Sequence, residues 1–252
     1  MDPSDTDDRL ERLRRGRGYT LPHHGLMARL APDVLDLFDG LYRRINTVEP
    51  EKRHLREFLW LVILVSVRSG TASHHAVRFA QAGGTLEETA LAIRIAGLPH
   101  EAGAVAFAAR HWAEAIPGLS EEALRAALRP ACGGARLAPG EVELACALAF
   151  GCVRGAEGFR RHLVAAFAAG LSEETVFEAL CLIMLPAGLP AFVQCTWIWR
   201  DLVSEGAVPA SDGLAAWAEA AQAESGAAGS AAAGATDTYG GGAAQDGRPT
   251  RG

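Results

Sequence analysis

The sequence predicts an all-α protein, a helical bundle of two duplicated units. Three observations carry this. Alanine and leucine dominate a chain that is 49% hydrophobic and only 7% aromatic, and these two residues cost least in a helix. No segment of useful length alternates apolar and polar residues with the period of two that a half-buried strand needs. A pattern of histidine, glycine stop and capped acidic start also occurs twice, in RSGTASHHAVRFAQAGGTLEET (68–89) and FRRHLVAAFAAGLSEET (159–175).

The elements follow in order. Residues 1–24 are highly charged and are expected to be loosely held. PDVLDLFDGLYRRI (32–45) places Val34, Leu35, Phe38, Leu41 and Ile45 near one helical face. EKRHLREFLWLVILVSV (51–67) is a charged turn leading into a buried helix. TASHHAVRFAQAG (71–83) is a short helix stopped at Gly83 or Gly84. TLEETALAIRIAG (85–97) opens with Thr85 and Glu88 at capping-box spacing. A new helix is expected from Pro99 to residue 115, since proline suits a first turn, and LSEEALRAAL (119–128) follows with Ser120 at its start. PGEVELACALAFGCVRG (139–155) reads as a buried helix, EGFRRHLVAAFAAG (157–170) as a short one closed by Gly170. LSEETVFEALCLIML (171–185) starts at Ser172, and AGLPAFVQCTWIWRDLV (187–203) closes the bundle. From 222 onward Gly, Ala and Ser prevail, with too little apolar surface to offset ordering, so a disordered tail is expected.

The halves align with a period of about 86 residues. His75 lies eight residues before Gly83, and His162 eight before Gly170. Glu57 precedes His75 by 18 residues and Glu143 precedes His162 by 19, each glutamate opening the long apolar helix of its half. Internal duplication accounts for this most simply, giving a flexible segment 1–24, repeats over 25–118 and 119–221, and a tail over 222–252.

Composition narrows the function. Net charge is −6 with no basic stripe, which argues against nucleic acid as a partner. The longest apolar run, FLWLVILVSV (58–67), has ten residues, too few to span a bilayer, and no apolar signal core opens the chain. Five cysteines, Cys132, Cys146, Cys152, Cys181 and Cys195, include no CxxC pair. An odd, unpatterned set points to buried free thiols in a reducing, cytoplasmic setting.

These residues together resemble the carboxymuconolactone decarboxylase and alkyl hydroperoxidase D superfamily. The shared order is an acidic residue opening an apolar helix, then a short helix carrying a histidine, then glycine and a T/S-x-E-E cap. Residues 137–203 match best, with EGFRRHLVAAFAAGLSEET and the following AGLPA similar to the decarboxylase branch. Residues 55–95 match more loosely, and 14–38 resemble the lead-in of fused members. The hydroperoxidase branch carries CxxC with its second cysteine four residues before the histidine. Those positions are Arg68 and Thr71 in one half, Gly155 and Gly158 in the other, so its disulfide chemistry has no nucleophile here. Pro186 stands where the decarboxylase branch has an aromatic. The resemblance implies a chain that associates with itself as a dimer or trimer, and acid–base chemistry without a cofactor.

The candidate catalytic group is His162 with Glu143 and Glu157, and the equivalent set in the first half is His75 with Glu57. A histidine gives or takes a proton near neutral pH, and a carboxylate orients it and holds its charge. Loss of CO2 from a small carboxylated or enolisable metabolite needs such help, with the substrate's own carbonyl as electron sink. His74, Arg161 and Phe159 are the candidate substrate contacts. The one-residue difference in spacing sets the Glu57–His75 pairing apart from Glu143–His162. The plain alternative makes His162 a half-buried helix residue beside solvated acids. Two other functions stay open: a peroxidase using isolated thiols, and a non-catalytic binding or scaffold protein. No metal is expected, since no HExxH or CxxC accompanies the histidines. His23 and His24 are expected in a loop. Trp197 and Trp199 read as packing or subunit contacts, and Cys181 and Cys195 as small buried apolar groups.

Overall fold

The computed structural model describes residues 3–70, 73–113, 116, 118–128 and 136–221. The expected tail over 222–252, together with Thr71 and Cys132, lies outside the described residues. All regular structure among the described residues is helical. In chain order the α-helices are α1 (Pro3–Arg17), α2 (Pro22–Leu30), α3 (Pro32–Asn46), α4 (Arg53–Ser66), α5 (His74–Gln81) and α6 (Leu86–Trp112). They continue with α7 (Glu121–Leu128), α8 (Pro139–Cys152), α9 (Ala156–Ala168), α10 (Glu173–Cys181), α11 (Leu189–Ser204) and α12 (212–221). None of the described helices is long and apolar enough to cross a membrane. The chain divides into two compact units between Thr196 and Trp197, inside α11 and short of the expected end of the second repeat at 221. All site geometry below belongs to the first unit. In the second, Trp199 and Trp217 meet edge to face, and Trp197 is exposed.

The centre of the first unit is α8, buried without a break from Val142 to Cys152. It packs against α9, α6 and α4, while α4 packs in turn on α5 and α6. Glycine makes the closest approach possible. A Cβ on Gly158 would lie 2.1 Å from Cδ1 of Phe150, so the α9 backbone rests directly on that ring.

The two halves repeat their helix stops. α4 and α8 both end on an arginine in the left-handed region, Arg68 (φ 54°) and Arg154 (φ 61°). The next N–H closes back on the helix: Ser69 N donates to Leu64 O and Gly155 N to Phe150 O. This closure satisfies carbonyls left open by the helix end. α5 and α9 stop at Gly83 (φ 81°) and Gly170 (φ 89°), where a positive φ favours glycine. Thr85 and Ser172 then cap α6 and α10 through backbone N–H groups of Glu88 and Thr175.

Four expectations need correction. Pro99 does not start a new helix: α6 runs through it to Trp112. A proline removes one N–H and crowds one turn, and strong helix formers on both sides carry the helix on. Within the expected loose segment, α1 forms over Pro3–Arg17 and its Leu13 is buried with Ala28 and Leu35. His23 and His24 lie on α2 rather than in a loop. The buried face of α3 is Leu35, Asp39, Tyr42 and Ile45, while Val34 and Leu41 are exposed. Asp39 turns inward because Arg17 pairs with it at 2.7 Å, and Tyr42 because its hydroxyl has partners inside.

Glu88 does more than cap α6. Fully buried, it accepts from Thr85 N, from Arg136 N at 2.9 Å and lies 3.0 Å from His54 Nε2. Burial pushes its carboxyl pKa up, but these bonds outweigh burial and hold it below the ordinary value. One carboxylate thus ties α4, α6 and the segment entering α8. Arg56 makes a second tie across the halves, pairing with Glu178 at 3.2 Å and donating to Ile45 O.

Candidate functional site

Both glutamate–histidine pairs form, with the same geometry. Nδ1 of His162 lies 2.7 Å from Oε2 of Glu143, and Nδ1 of His75 lies 2.7 Å from Oε2 of Glu57. The shorter spacing in the first half does not prevent pairing. Arg68 and Arg154 are 86 residues apart and the histidines 87, so the missing residue is absorbed after the helix stop. Each ring also stacks on an aromatic from the glutamate's own helix. His75 lies on Trp60 (4.3 Å, 21°) and His162 on Phe150 (5.5 Å, 22°). Trp60 is three residues beyond Glu57 and Phe150 seven beyond Glu143, both on the glutamate's face. A carboxylate accepting at Nδ1 fixes the neutral tautomer with Nδ1–H, leaving Nε2 for other chemistry.

The pairs differ in what meets Nε2. His162 is 19% exposed and stands on the wall of a half-open cavity of about 390 Å³. α6 supplies Leu98, Ala102 and Val105 to that wall, and α7 supplies Ala126 and Leu128. The unbroken passage of α6 through Pro99 brings it there. Glu143, Glu157, Arg125 and Arg161 also line the cavity. Burial, then the charge of Arg125, lowers the pKa of Arg161.

His75 is sealed. It is 1% exposed, and Tyr42 Oη stands 3.4 Å from its Nε2. Tyr42 Oη also lies 3.1 Å from His74 Nε2, which Tyr19 Oη approaches at 3.1 Å. Burial, then the neighbouring His75, pushes the pKa of His74 down to about 3. Burial likewise lowers His75 against the opposing pull of Glu57, so both imidazoles are held neutral. The pKa of Tyr42 is raised, chiefly by burial and the Tyr19 hydroxyl.

Of the candidate residues, His162, Glu143, Glu157 and Arg161 therefore share one cavity, with Glu143 as the hydrogen-bonded partner of His162. His75, Glu57 and His74 form a separate cluster. His74 is engaged by tyrosines and does not line this cavity, and Phe159 is 1% exposed core, so neither is positioned as a substrate contact there. Tyr19, Tyr42, Phe150 and His54 were not anticipated. The signal for Tyr42 was present: it follows Leu35 by seven residues, on one helical stripe. His54 sits one turn before Phe58 on the buried helix.

Cys152, Cys181 and Cys195 are free thiols. Burial pushes the Cys152 and Cys195 thiols up to about 12, and raises Cys181, the reverse of what a reactive thiolate needs. Gly158, where the hydroperoxidase branch has its second cysteine, has no room for any side chain beside Phe150. Among the described residues, no group of three or more His, Cys, Asp or Glu is placed to hold a metal ion. No family model matches the chain, and no curated protein matches it.

Proposed function

We propose that the chain is a two-unit member of the carboxymuconolactone decarboxylase-like superfamily and an acid–base enzyme whose working histidine is His162. The observation that carries the reading is the Glu143–His162 hydrogen bond on the wall of a cavity otherwise largely apolar. Duplication is supported by helix stops 86 residues apart, glycine stops 87 apart, and two Glu–His pairs of equal length.

The residues define a short reaction sequence. A small carboxylated substrate enters with its carboxylate toward Arg161 and Arg125 at the rim. The C–CO2 bond breaks and its electron pair moves into a carbonyl conjugated to that carbon. His162, protonated at Nε2, gives its proton to the resulting carbanion, and Glu143 holds the imidazolium before that transfer. The net change is uptake of one proton and release of CO2. The apolar wall strengthens each of these electrostatic contacts. The same groups would serve an isomerisation, with His162 first removing the proton.

The thiol-dependent alternative finds no support in buried thiols with raised pKa values. The scaffold alternative accounts less well for a paired histidine on an open cavity. Chains of this kind would associate, and Val34, Leu37 and Leu41 are exposed apolar residues on one face of α3 for a second copy to cover. The test is a panel of small β-keto and enol-lactone carboxylates, followed by loss of substrate absorbance and release of CO2. Turnover by the wild type that survives His162→Gln would remove His162 from the chemistry.

A further inference from the structure

A second cavity, about 490 Å³, lies among α1, α3, α4 and α5 and does not include His162. Its volume falls in the range of small-molecule sites. Its wall is basic: Arg17, Arg43, Arg53 and Arg78 line it. Two carboxylates oppose them, Glu57 on the wall, held by His75, and Asp39, held by Arg17 and Arg43. Four guanidiniums against two carboxylates leave an excess of positive charge.

The arginines are built in rather than merely solvated. Arg17 is 3% exposed, lies 4.0 Å over the Tyr42 ring, and pairs with Asp39 through Nε. Its Nη2 is buried with no hydrogen-bond partner among the described residues. A buried guanidinium nitrogen without an acceptor is costly. Arg78 is held in place by Arg17 O at 3.3 Å and Tyr42 Oη at 3.4 Å, with no carboxylate partner among the described residues. Arg53, exposed at the mouth, likewise has no carboxylate partner among them.

We propose that this cavity binds a small oxyanion, the carboxylate or phosphate group of a metabolite, at a site separate from the His162 cavity. Arg78 and Arg53, which have no carboxylate partner among the described residues, supply the N–H donors that match carboxylate and phosphate oxygens. The proposal goes beyond the acid–base reading and does not depend on it.

The test uses the full chain at low ionic strength, titrated with inorganic phosphate, succinate and uncharged succinamide by calorimetry and thermal melting. Phosphate or succinate, or both, bind and raise Tm, and whichever binds more tightly identifies the preferred group. Succinamide does neither. Arg78→Gln and Arg53→Gln each weaken anion binding by at least about tenfold, whereas His162→Gln binds as the wild type does. Arg53 is exposed and unpaired, so its variant keeps the fold if Arg78→Gln does not. The proposal is overturned if neither anion binds at roughly 10 mM, if both arginine variants bind normally, or if His162→Gln abolishes binding.

Discussion

The two halves contain the same glutamate–histidine device in opposite circumstances. In each, Nδ1 meets a glutamate oxygen at 2.7 Å and the ring lies on an aromatic of the same helix. His75 is closed over by Tyr42 and His74, while His162 faces a cavity. Local pairing therefore does not decide function. The group over Nε2 sets access to it, and over His75 that group is the Tyr42 hydroxyl, 33 positions away in the chain.

The sharpest way to break the comparison is to remove each histidine in turn. His162→Gln lowers turnover by about 10²–10⁴-fold, the usual contribution of a positioned acid or base. His75→Gln leaves turnover within about twofold, since a sealed imidazole touches no substrate. Equal losses in the two variants would show that both halves work.

Chemical access comes next. Diethyl pyrocarbonate acylates neutral, accessible imidazoles. His75 reacts about a hundredfold more slowly than His162, because reaching it requires local opening. Peptide mass spectrometry after timed exposure reads both rates, and Tyr42→Ala brings the His75 rate up toward that of His162. Comparable rates in the wild type would mean that the seal is not closed in solution.

Stability should run in the reverse sense to activity. His75→Gln costs about 2–3 kcal/mol in urea unfolding, since it strands a buried carboxylate. His162→Gln costs about 1 kcal/mol, because water reaches that site. A larger loss for His162→Gln would contradict the assignment of His75 to a structural role.

The smallest effect is in pH. His74 and His24 have pKa values lowered from 6.5 to about 3 and about 4, chiefly by burial, and His75 is lowered in the same direction. On acidification the unfolded chain binds protons from 6.5 downward while these folded sites do not. The stability they contribute is present above pH 6.5 and declines as pH falls below it. The urea midpoint should therefore drop between pH 7 and 5, and drop less in His74→Gln. An unchanged drop in that variant would show that other groups control it.

Much of this was legible in the sequence because it is local. Helix propensity, apolar runs, the capping residues Thr85 and Ser172, and the glycine stops act within a few residues of themselves. The spacing of Glu57 to His75 and Glu143 to His162 was legible too, since a helix stop between two helices sets it. Misreadings came where a distant partner overruled a local preference. Arg17 turned Asp39 of α3 inward, the histidines of α5 drew in the Tyr42 hydroxyl, and neighbours on both sides carried α6 through Pro99.

The sequence by itself determined an all-α chain and two candidate histidines with their glutamates. Only the tertiary structure decided that one histidine is sealed and the other open, and that four arginines surround a second cavity. The physical reason is range. Backbone hydrogen bonds and caps act within a turn or two of helix, whereas burial and charge environment are summed over every segment that folds back onto the site.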